Sequence, residues 1–160
     1  MKEQELKEEK KSIDRLSYLQ SIIGQEFVKS PSPYGRWLRG KILDAQSGKL
    51  TMGYEVREEM LNPVGILHGG VISGMMDECM GLTTFGLNLP DFYSSVNISI
   101  DFLSSARLGE NLVLETNVVR QGRNIIHITC TLKNALGKLL AKGSTNMLKV
   151  DIDISKLGEK

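Results

Sequence analysis

Residues 69–85 limit what this 160-residue chain can fold into more than any other segment. The segment reads GGVISGMMDECMGLTTF and is apolar on every side except at Asp77 and Glu78. A helix that is apolar all round has to be buried all round. Its glycines and threonines are poor helix formers, so packing and not intrinsic propensity must hold it helical. We therefore predict one long central helix that the rest of the chain covers.

The chain after Pro90 can supply this cover, because its apolar residues recur at every second position. In the first such run one face carries Val96, Ile98, Ile100 and Phe102, and the other carries Ser95, Asn97, Ser99 and Asp101. Three more alternating runs follow, at about 112–119, 126–132 and 138–150. The short links between them are typical of hairpins, so the pattern predicts an antiparallel meander. A sheet whose apolar face curls around the central helix is an α+β architecture.

The N-terminal region is predicted to lie outside this unit. Apolar residues at three- and four-residue steps predict a helix over residues 1–28, with the first ten residues frayed. Pro31 and Pro33 mark a linker after it. A hairpin is predicted next, with strands at Trp37–Ala45 and Leu50–Val56. The predicted division is an N-terminal helix and linker (1–33), one domain (34–150) and a C-terminal tail (151–160).

Composition excludes several classes of protein. Twenty Lys and Arg against nineteen Asp and Glu leave a net charge of +1, which argues against binding nucleic acid through bulk positive charge. Cys79 and Cys130 lie in apolar patterns without metal-ligand spacing, so neither a disulfide framework nor a cysteine zinc site is expected. Charged residues interrupt the longest apolar stretch, and the first residues are charged, unlike a membrane span or a secretory signal. We therefore expect a soluble, cytoplasmic protein.

The sequence His68-Gly69-Gly70 opens the central helix and is the first candidate for chemistry. Backbone N–H groups in the first turn of a helix have no intrahelical partner, and the positive end of the helix dipole lies behind them. The N–H of Gly69 or Gly70 could therefore donate to a developing oxyanion. The alternative is a tight turn in which glycine serves only the backbone conformation.

The two carboxylates of the helix are the second candidate. A buried carboxylate is costly unless it is bonded, and such groups often have a function. Adjacent helical residues differ by about 100°, so at most one of Asp77 and Glu78 need face inward, and the pattern does not choose between them. His68 and Asp77 are separated by about 13 Å of helical rise, too far to reach one small carbonyl easily. If both serve one site, Asp77 comes from a second copy of the chain, and a two-fold dimer holds two equivalent sites.

Other polar residues give weaker signals. Asn62 either caps a turn or donates its amide to a substrate, and Ser95 begins a strand on its polar face, where solvation is the usual outcome. Arg107, Arg120 and Arg123 lie near predicted strand ends, where they could meet phosphates or be ordinary surface charge.

The segments NPVGILHGGVISGMMDECMG and SSVNISIDFLSSARLGENL together resemble the hotdog-fold acyl-CoA thioesterases. The resemblance is to the PaaI-like branch of the 4-hydroxybenzoyl-CoA thioesterase superfamily and spans about residues 34–150. It implies a curved antiparallel sheet wrapped around one long central helix, with the extra N-terminal helix outside that core. It also implies a homodimer or a dimer of dimers (a homotetramer), with the sites at the dimer interface.

The same resemblance implies a role for each residue of the motif. Asn62 matches the asparagine that positions substrate and water, and His68 matches the histidine near the thioester sulfur. Gly69 matches the backbone donor to the thioester oxygen. Asp77, which the resemblance favours over Glu78, matches the catalytic carboxylate, either as general base or as nucleophile. Ser95 matches the hydroxyl that orients water or the acidic group.

The implied activity is hydrolysis of an acyl-CoA to a free carboxylic acid and CoA, with no metal or separate cofactor. Arg107, Arg120 and Arg123 are the candidates for contacting the CoA phosphates, and Met75, Met76 and Met80 are expected to line the acyl pocket. Because one fold can serve several functions, a non-catalytic acyl-CoA-binding protein stays open as an alternative.

Overall fold

The computed structural model of the chain describes residues 14–152. Its helices are α1 (Arg15–Ser21), α2 (Pro33–Leu38) and α3 (Gly69–Phe85). Its strands are β1 (Lys41–Gln46), β2 (Lys49–Glu55), β3 (Phe92–Phe102), β4 (Asn111–Gln121), β5 (Ile125–Asn134) and β6 (Leu139–Val150). They form one antiparallel sheet in the order β1-β2-β4-β5-β6-β3, and α3 packs against β2, β3, β4, β5 and β6. The predicted α+β fold, an antiparallel sheet around one long helix, is confirmed. The predicted four-stranded meander was wrong at its first strand: residues 103–110 do not form a hairpin turn but carry the chain from β3 to the edge of β2, so β4 pairs with β2 and β3 pairs with β6.

The helix α3 has the predicted bounds and is held mainly by burial. Seven of its side chains are buried: Ile72, Met75, Met76, Cys79, Met80, Thr83 and Thr84. A polar contact adds to the packing, because the Thr83 and Thr116 hydroxyls lie 2.6 Å apart and the Thr116 hydroxyl donates to the carbonyl of Leu50. Among residues 14–152, no helix is long and apolar enough to cross a membrane.

The predicted N-terminal helix was wrong over residues 22–28, and residues 1–13 lie outside the described part of the chain. The helix ends at Ser21, and the chain then turns at Gly24, whose φ is +83°. After this turn Glu26 forms a β-bridge with Lys41. Not all of the apolar residues at helical spacing therefore lie in a helix. Phe27 lies in an extended segment and packs into the core from there.

The predicted linker and the start of the first predicted strand were also wrong, because α2 occupies residues 33–38. Ser32 caps this helix by accepting a hydrogen bond from the N–H of Gly35, and Pro33 occupies its first turn, where a missing N–H costs nothing. The strand β1 therefore begins only at Lys41. The division at residue 33 stays a prediction, although Leu19 and Phe27 share the core with the rest of the domain.

A bulge in β3 changes the faces that strict alternation predicts. Ser95 lies opposite Met147 and Asn97 lies opposite Asn146, so Val96 is an extra residue without a partner. Directly opposite residues share a face, and Met147 is buried, so Ser95 is on the inner face of the sheet and Asn97 on the outer face. The expectation that Ser95 lies on the polar face was wrong, because the bulge reverses the alternation at this point.

The close packing of α3 on the sheet can be tested at Gly143 of β6. A Cβ there would lie 3.0 Å from the carbonyl oxygen of Ser99 and 3.2 Å from Sδ of Met76. We expect Gly143→Ala to lower the free energy of unfolding by about 1–3 kcal/mol, because an overpacked contact must move backbone or core atoms. Urea denaturation measures this change.

The matched control is Gly81→Ala in α3, where an added Cβ has nothing within 4 Å. Its free energy of unfolding should stay the same or rise by up to about 1 kcal/mol, since alanine favours helix over glycine. Equal stabilities for the two variants would contradict the tight contact between α3 and β6.

Candidate active site

Asp77 and Ser95 meet on the inner side of the sheet. The hydroxyl of Ser95 donates a hydrogen bond to Oδ1 of Asp77 over 2.7 Å. Asp77 projects from the exposed face of α3, and the bulge at Val96 is what turns Ser95 toward it. The bond fixes the orientation of the carboxylate and leaves Oδ2 with no hydrogen-bond partner among residues 14–152. Alternation alone did not predict this pairing; only the family motif singled out both residues.

A cavity of about 480 Å³ opens beside this pair. Its apolar wall contains Phe27, Leu82, Phe85, Phe92, Tyr93 and Met147. An apolar cleft with a few polar groups at one side is the usual form of a small-molecule site. The predicted methionine wall was wrong: Met75, Met76 and Met80 are fully buried in the core and do not line the cavity.

Glu78 also lines this cavity, but α2 holds it in place. Its Oε2 accepts a hydrogen bond of 3.0 Å from the hydroxyl of Ser32, and a Cβ on Gly35 would lie 2.5 Å from its Oε1. Burial raises the pKa of Glu78, the charge of Asp77 raises it further, and the Ser32 bond partly offsets both. Both carboxylates therefore face the cavity, with Asp77 open and Glu78 packed against α2.

The N-terminal segment supplies parts of this site that carry no recognisable motif. Phe27 and Ser30–Ser32 line the cavity together with the carboxylates. Tyr34 follows them and packs directly on Gly74, where an added Cβ would clash with its hydroxyl. One sequence feature could have indicated α2: Ser32 directly before Pro33 is typical of a helix N-cap followed by proline in the first turn.

Asn62 lies in the loop before α3, where its side chain caps a turn. Its Oδ1 accepts the N–H groups of Val64 and Ile66 over 3.1 and 3.2 Å. Turn capping, one of the two interpretations of this residue, is therefore confirmed. Capping uses only the oxygen, so the NH₂ group of the amide makes no hydrogen bond within residues 14–152 and remains able to donate to a ligand.

The side chain of His68 caps the start of α3. Its Nδ1 accepts the N–H of Gly70 over 2.8 Å, so the neutral ring carries its proton on Nε2. Gly70 is close-packed here, because a Cβ on it would lie 3.0 Å from that nitrogen. Of the two candidate oxyanion donors, the N–H of Gly70 is already used. That of Gly69 has no partner in the part of the chain that the structure describes.

The predicted site residues therefore fall into two groups on one chain. Asn62, His68 and Gly69 lie at the start of α3, and Asp77 and Ser95 lie near its middle. Gly69 and Asp77 are separated by about 12 Å of helical rise. One chain alone does not bring all five residues around one small reacting group.

The three candidate arginines do not form a cluster within one chain. Arg107 forms a β-bridge with Ile66, in the loop that leads into α3. Arg120 lies at the far end of β4, about 30 Å from its first residue, and Arg123 lies in the turn that follows. Their contact with CoA phosphates stays a prediction.

Comparison with known proteins decides the family. A sequence model of the Thioesterase superfamily matches residues 64–141. Acyl-coenzyme A thioesterase 13 of Homo sapiens is 36% identical over 109 residues, which are 65% of this chain and 76% of that protein. The chain belongs to the thioesterase superfamily.

Solved structures agree with this thioesterase assignment. A Streptococcus mutans protein, solved bound to acetyl CoA, is 26% identical, covers 69% of this chain and 88% of its own, and has a TM-score of 0.67. The Escherichia coli PaaI protein shows the same fold at 19% identity, with a TM-score of 0.70 over 74% of this chain and 85% of its own. The predicted hotdog fold and the predicted thioesterase class are both confirmed.

The burial of Glu78 predicts a pH-dependent stability. Because its pKa is raised in the folded chain, the folded state holds this proton more tightly than the unfolded state does. The free energy of unfolding therefore falls as the pH rises from the unfolded pKa through the folded one. Glu78→Gln removes the charge and keeps an acceptor for Ser32. The free energy of unfolding of the variant, relative to that of wild type, should therefore increase as the pH rises from about 4 to about 7.

Urea denaturation of both proteins at the two pH values measures this gain. Glu55→Gln, which replaces an exposed carboxylate on β2, is the control and should follow wild type. A constant difference between Glu78→Gln and wild type at both pH values would show that burial does not penalise this carboxylate.

Proposed function

We propose that this thioesterase hydrolyses an acyl-CoA to a free carboxylic acid and CoA, and that two copies of the chain build each site. The observation that carries the proposal is the Asp77–Ser95 pair beside an apolar cavity, on the same helix that offers the N–H of Gly69. The cavity would hold the acyl group. The motif residues would surround the thioester, and no metal or separate cofactor would be needed.

The N–H of Gly69 would stabilise the negative charge that forms on the thioester oxygen. The positive end of the dipole of α3 would add to this stabilisation, because Gly69 is the first residue of the helix. Removing one such donor typically costs about 10²- to 10³-fold in rate. The proton on Nε2 of His68 would point to the sulfur, and the amide NH₂ of Asn62 would hold the substrate or the water.

Asp77 would supply the base or the nucleophile. As a base it takes a proton from water while the water oxygen attacks the carbonyl carbon. The C–S bond then breaks, and CoA leaves as a thiolate that takes up a proton. As a nucleophile the carboxylate attacks first and gives an anhydride, which water then hydrolyses. In either route the hydroxyl of Ser95 holds the carboxylate in one orientation.

A second copy of the chain would bring the two groups of residues together along β3. This strand is an edge of the sheet, and two residues of its inner face, Ile98 and Phe102, are 39% and 54% exposed. An unpaired edge with apolar side chains is suited to pairing with another chain. The ring of Phe102 lies next to Gly69, so a copy that covers this edge also approaches the start of α3. Two-fold pairing would give two equivalent sites, in a homodimer or in a dimer of dimers.

Replacement of the carboxylate separates an enzyme from a binding protein. Asp77→Asn should lower kcat by about 10²- to 10⁴-fold, because an amide cannot accept the proton, while CoA still binds. A thiol-release assay across acyl-CoAs of varied length and aromaticity measures turnover, and calorimetry measures CoA binding. Glu55→Gln, on β2 and outside this cavity, is the control and should stay near wild type. A wild-type protein that binds these thioesters and turns over none of them would instead be a non-catalytic acyl-CoA-binding protein.

The sharing of each site between chains can be tested at Gly69. Proline is tolerated at the first position of a helix, and the extended backbone of His68 suits a following proline. Gly69→Pro should therefore keep α3 and lose the N–H, with a drop of about 10²- to 10³-fold in kcat. Gly69→Ala keeps the N–H and is the control, since its Cβ would meet only the Phe102 ring, at 3.4 Å.

Equal co-expression of Gly69→Pro and Asp77→Asn chains then gives mixed dimers. If the two residues act across the interface, one of the two sites in each mixed dimer is intact, and the purified mixed dimers regain about half of wild-type activity. If both residues of a site belong to one chain, every site is defective and no activity returns. The thiol-release assay on purified mixed dimers distinguishes these results.

A further inference from the structure

We propose that Thr145 and Asn97 are positioning residues, which hold the bulge at Val96 and so aim Ser95 at Asp77. This inference rests on the proposed function, because it gives the two residues a part in the reaction through Ser95. Neither residue lines the cavity, and neither belongs to the motif around α3.

The bulge displaces backbone groups that a regular ladder would pair. The carbonyl of Asn97, directly after the bulged residue, accepts a hydrogen bond of 2.6 Å from the hydroxyl of Thr145 on β6. Thr145 is fully buried, so its hydroxyl depends on a protein acceptor. A buried hydroxyl without a partner is costly, and the bond to the carbonyl of Asn97 therefore stabilises the irregular backbone.

Hydrogen bonds on the outer face of the sheet also stabilise the bulge. Oδ1 of Asn97 accepts both the backbone N–H of Asn146, over 3.2 Å, and the side-chain NH₂ of Asn146, over 3.0 Å. The side chain of Asn97 thus acts as a substitute acceptor for a ladder N–H. Oδ1 of Asn146 in turn lies 2.8 Å from Nδ1 of His127 on β5. These contacts link three strands at the level of the bulge.

The direction of Ser95 depends on this extra residue. Side chains of a regular strand alternate between faces, so loss of the bulge would place Ser95 on the outer face if Ile98 and Ile100 stayed inside. The Ser95–Asp77 hydrogen bond could then not form. Thr145 and Asn97 therefore connect to the reacting carboxylate through β3, although they do not touch it.

The experiment uses two replacements at Thr145, one that keeps the shape of the side chain and one that keeps its hydroxyl. Thr145→Val removes the hydroxyl and should lower kcat by about 10- to 100-fold with KM within about threefold, because a small misplacement of a catalytic group is costly. Thr145→Ser keeps the hydroxyl and should restore kcat to near wild type. Asn97→Ala, on the outer face, tests the same bulge without disturbing the core, and Ser99→Ala is its control on the same strand.

A double variant of Thr145 and Ser95 distinguishes a positioning role from general destabilisation of the fold. Ser95→Ala should lower kcat as Thr145→Val does, and the double variant should be no worse than either single one, because both remove the same contact. Losses that multiply, or a Thr145→Val enzyme with wild-type kcat, would overturn the positioning role. If Thr145→Val does not fold, an Asn97→Ala enzyme that behaves like Ser99→Ala would overturn it. Either result leaves the proposed function standing as long as Asp77→Asn abolishes turnover.

Discussion

The structure depends on the burial of α3 inside the sheet. Five strands contact this helix, and its large side chains, such as Met75, Met76 and Met80, have no exposed surface. Since such burial is the main stabilising term in folding, the sheet must enclose the helix almost completely. Only one face stays open, and Asp77 lies on it between Gly74 and Gly81. The same packing that stabilises the fold thus leaves this carboxylate exposed beside the cavity.

Rigidity of this helix is also the reason why we propose that two chains build each site. The backbone donor at Gly69 and the carboxylate at Asp77 are fixed at a distance set by helical rise, and no side-chain rotation can close it. In the proposed dimer the helix of a second chain would lie alongside, so that its Asp77 would face the first chain's Gly69. The exposed apolar residues of β3 would supply a physical reason for that proposed association.

Local irregularities of the backbone bring the polar groups of the candidate site together. The bulge at Val96 turns Ser95 inward, and the αL turn at Gly24 sends Phe27 back toward the cavity. The Ser32 cap starts α2 beside Glu78, which burial keeps less acidic than an ordinary glutamate. Each of these features departs from regular backbone geometry, and specific hydrogen bonds compensate for the regular backbone pairing that is lost. The site is therefore built from deviations as much as from regular elements.

The sequence by itself determined the long helix at residues 69–85, the existence of the last four strands and the motif residues, because apolar periodicity and a specific motif are local properties. It did not determine the place of β3 in the sheet, which is beside β6 and not beside β4. It did not determine the short helix α2, the end of α1 at Ser21 or the inner position of Ser95. Those depend on tertiary contacts: the pairing of β3 with β6, and the packing of residues 22–38 on α3 and β1. Periodicity assigns a residue to a face only while the strand stays regular. Only the folded sheet, in which Thr145 and Asn97 stabilise one extra residue, decided that Ser95 would meet Asp77.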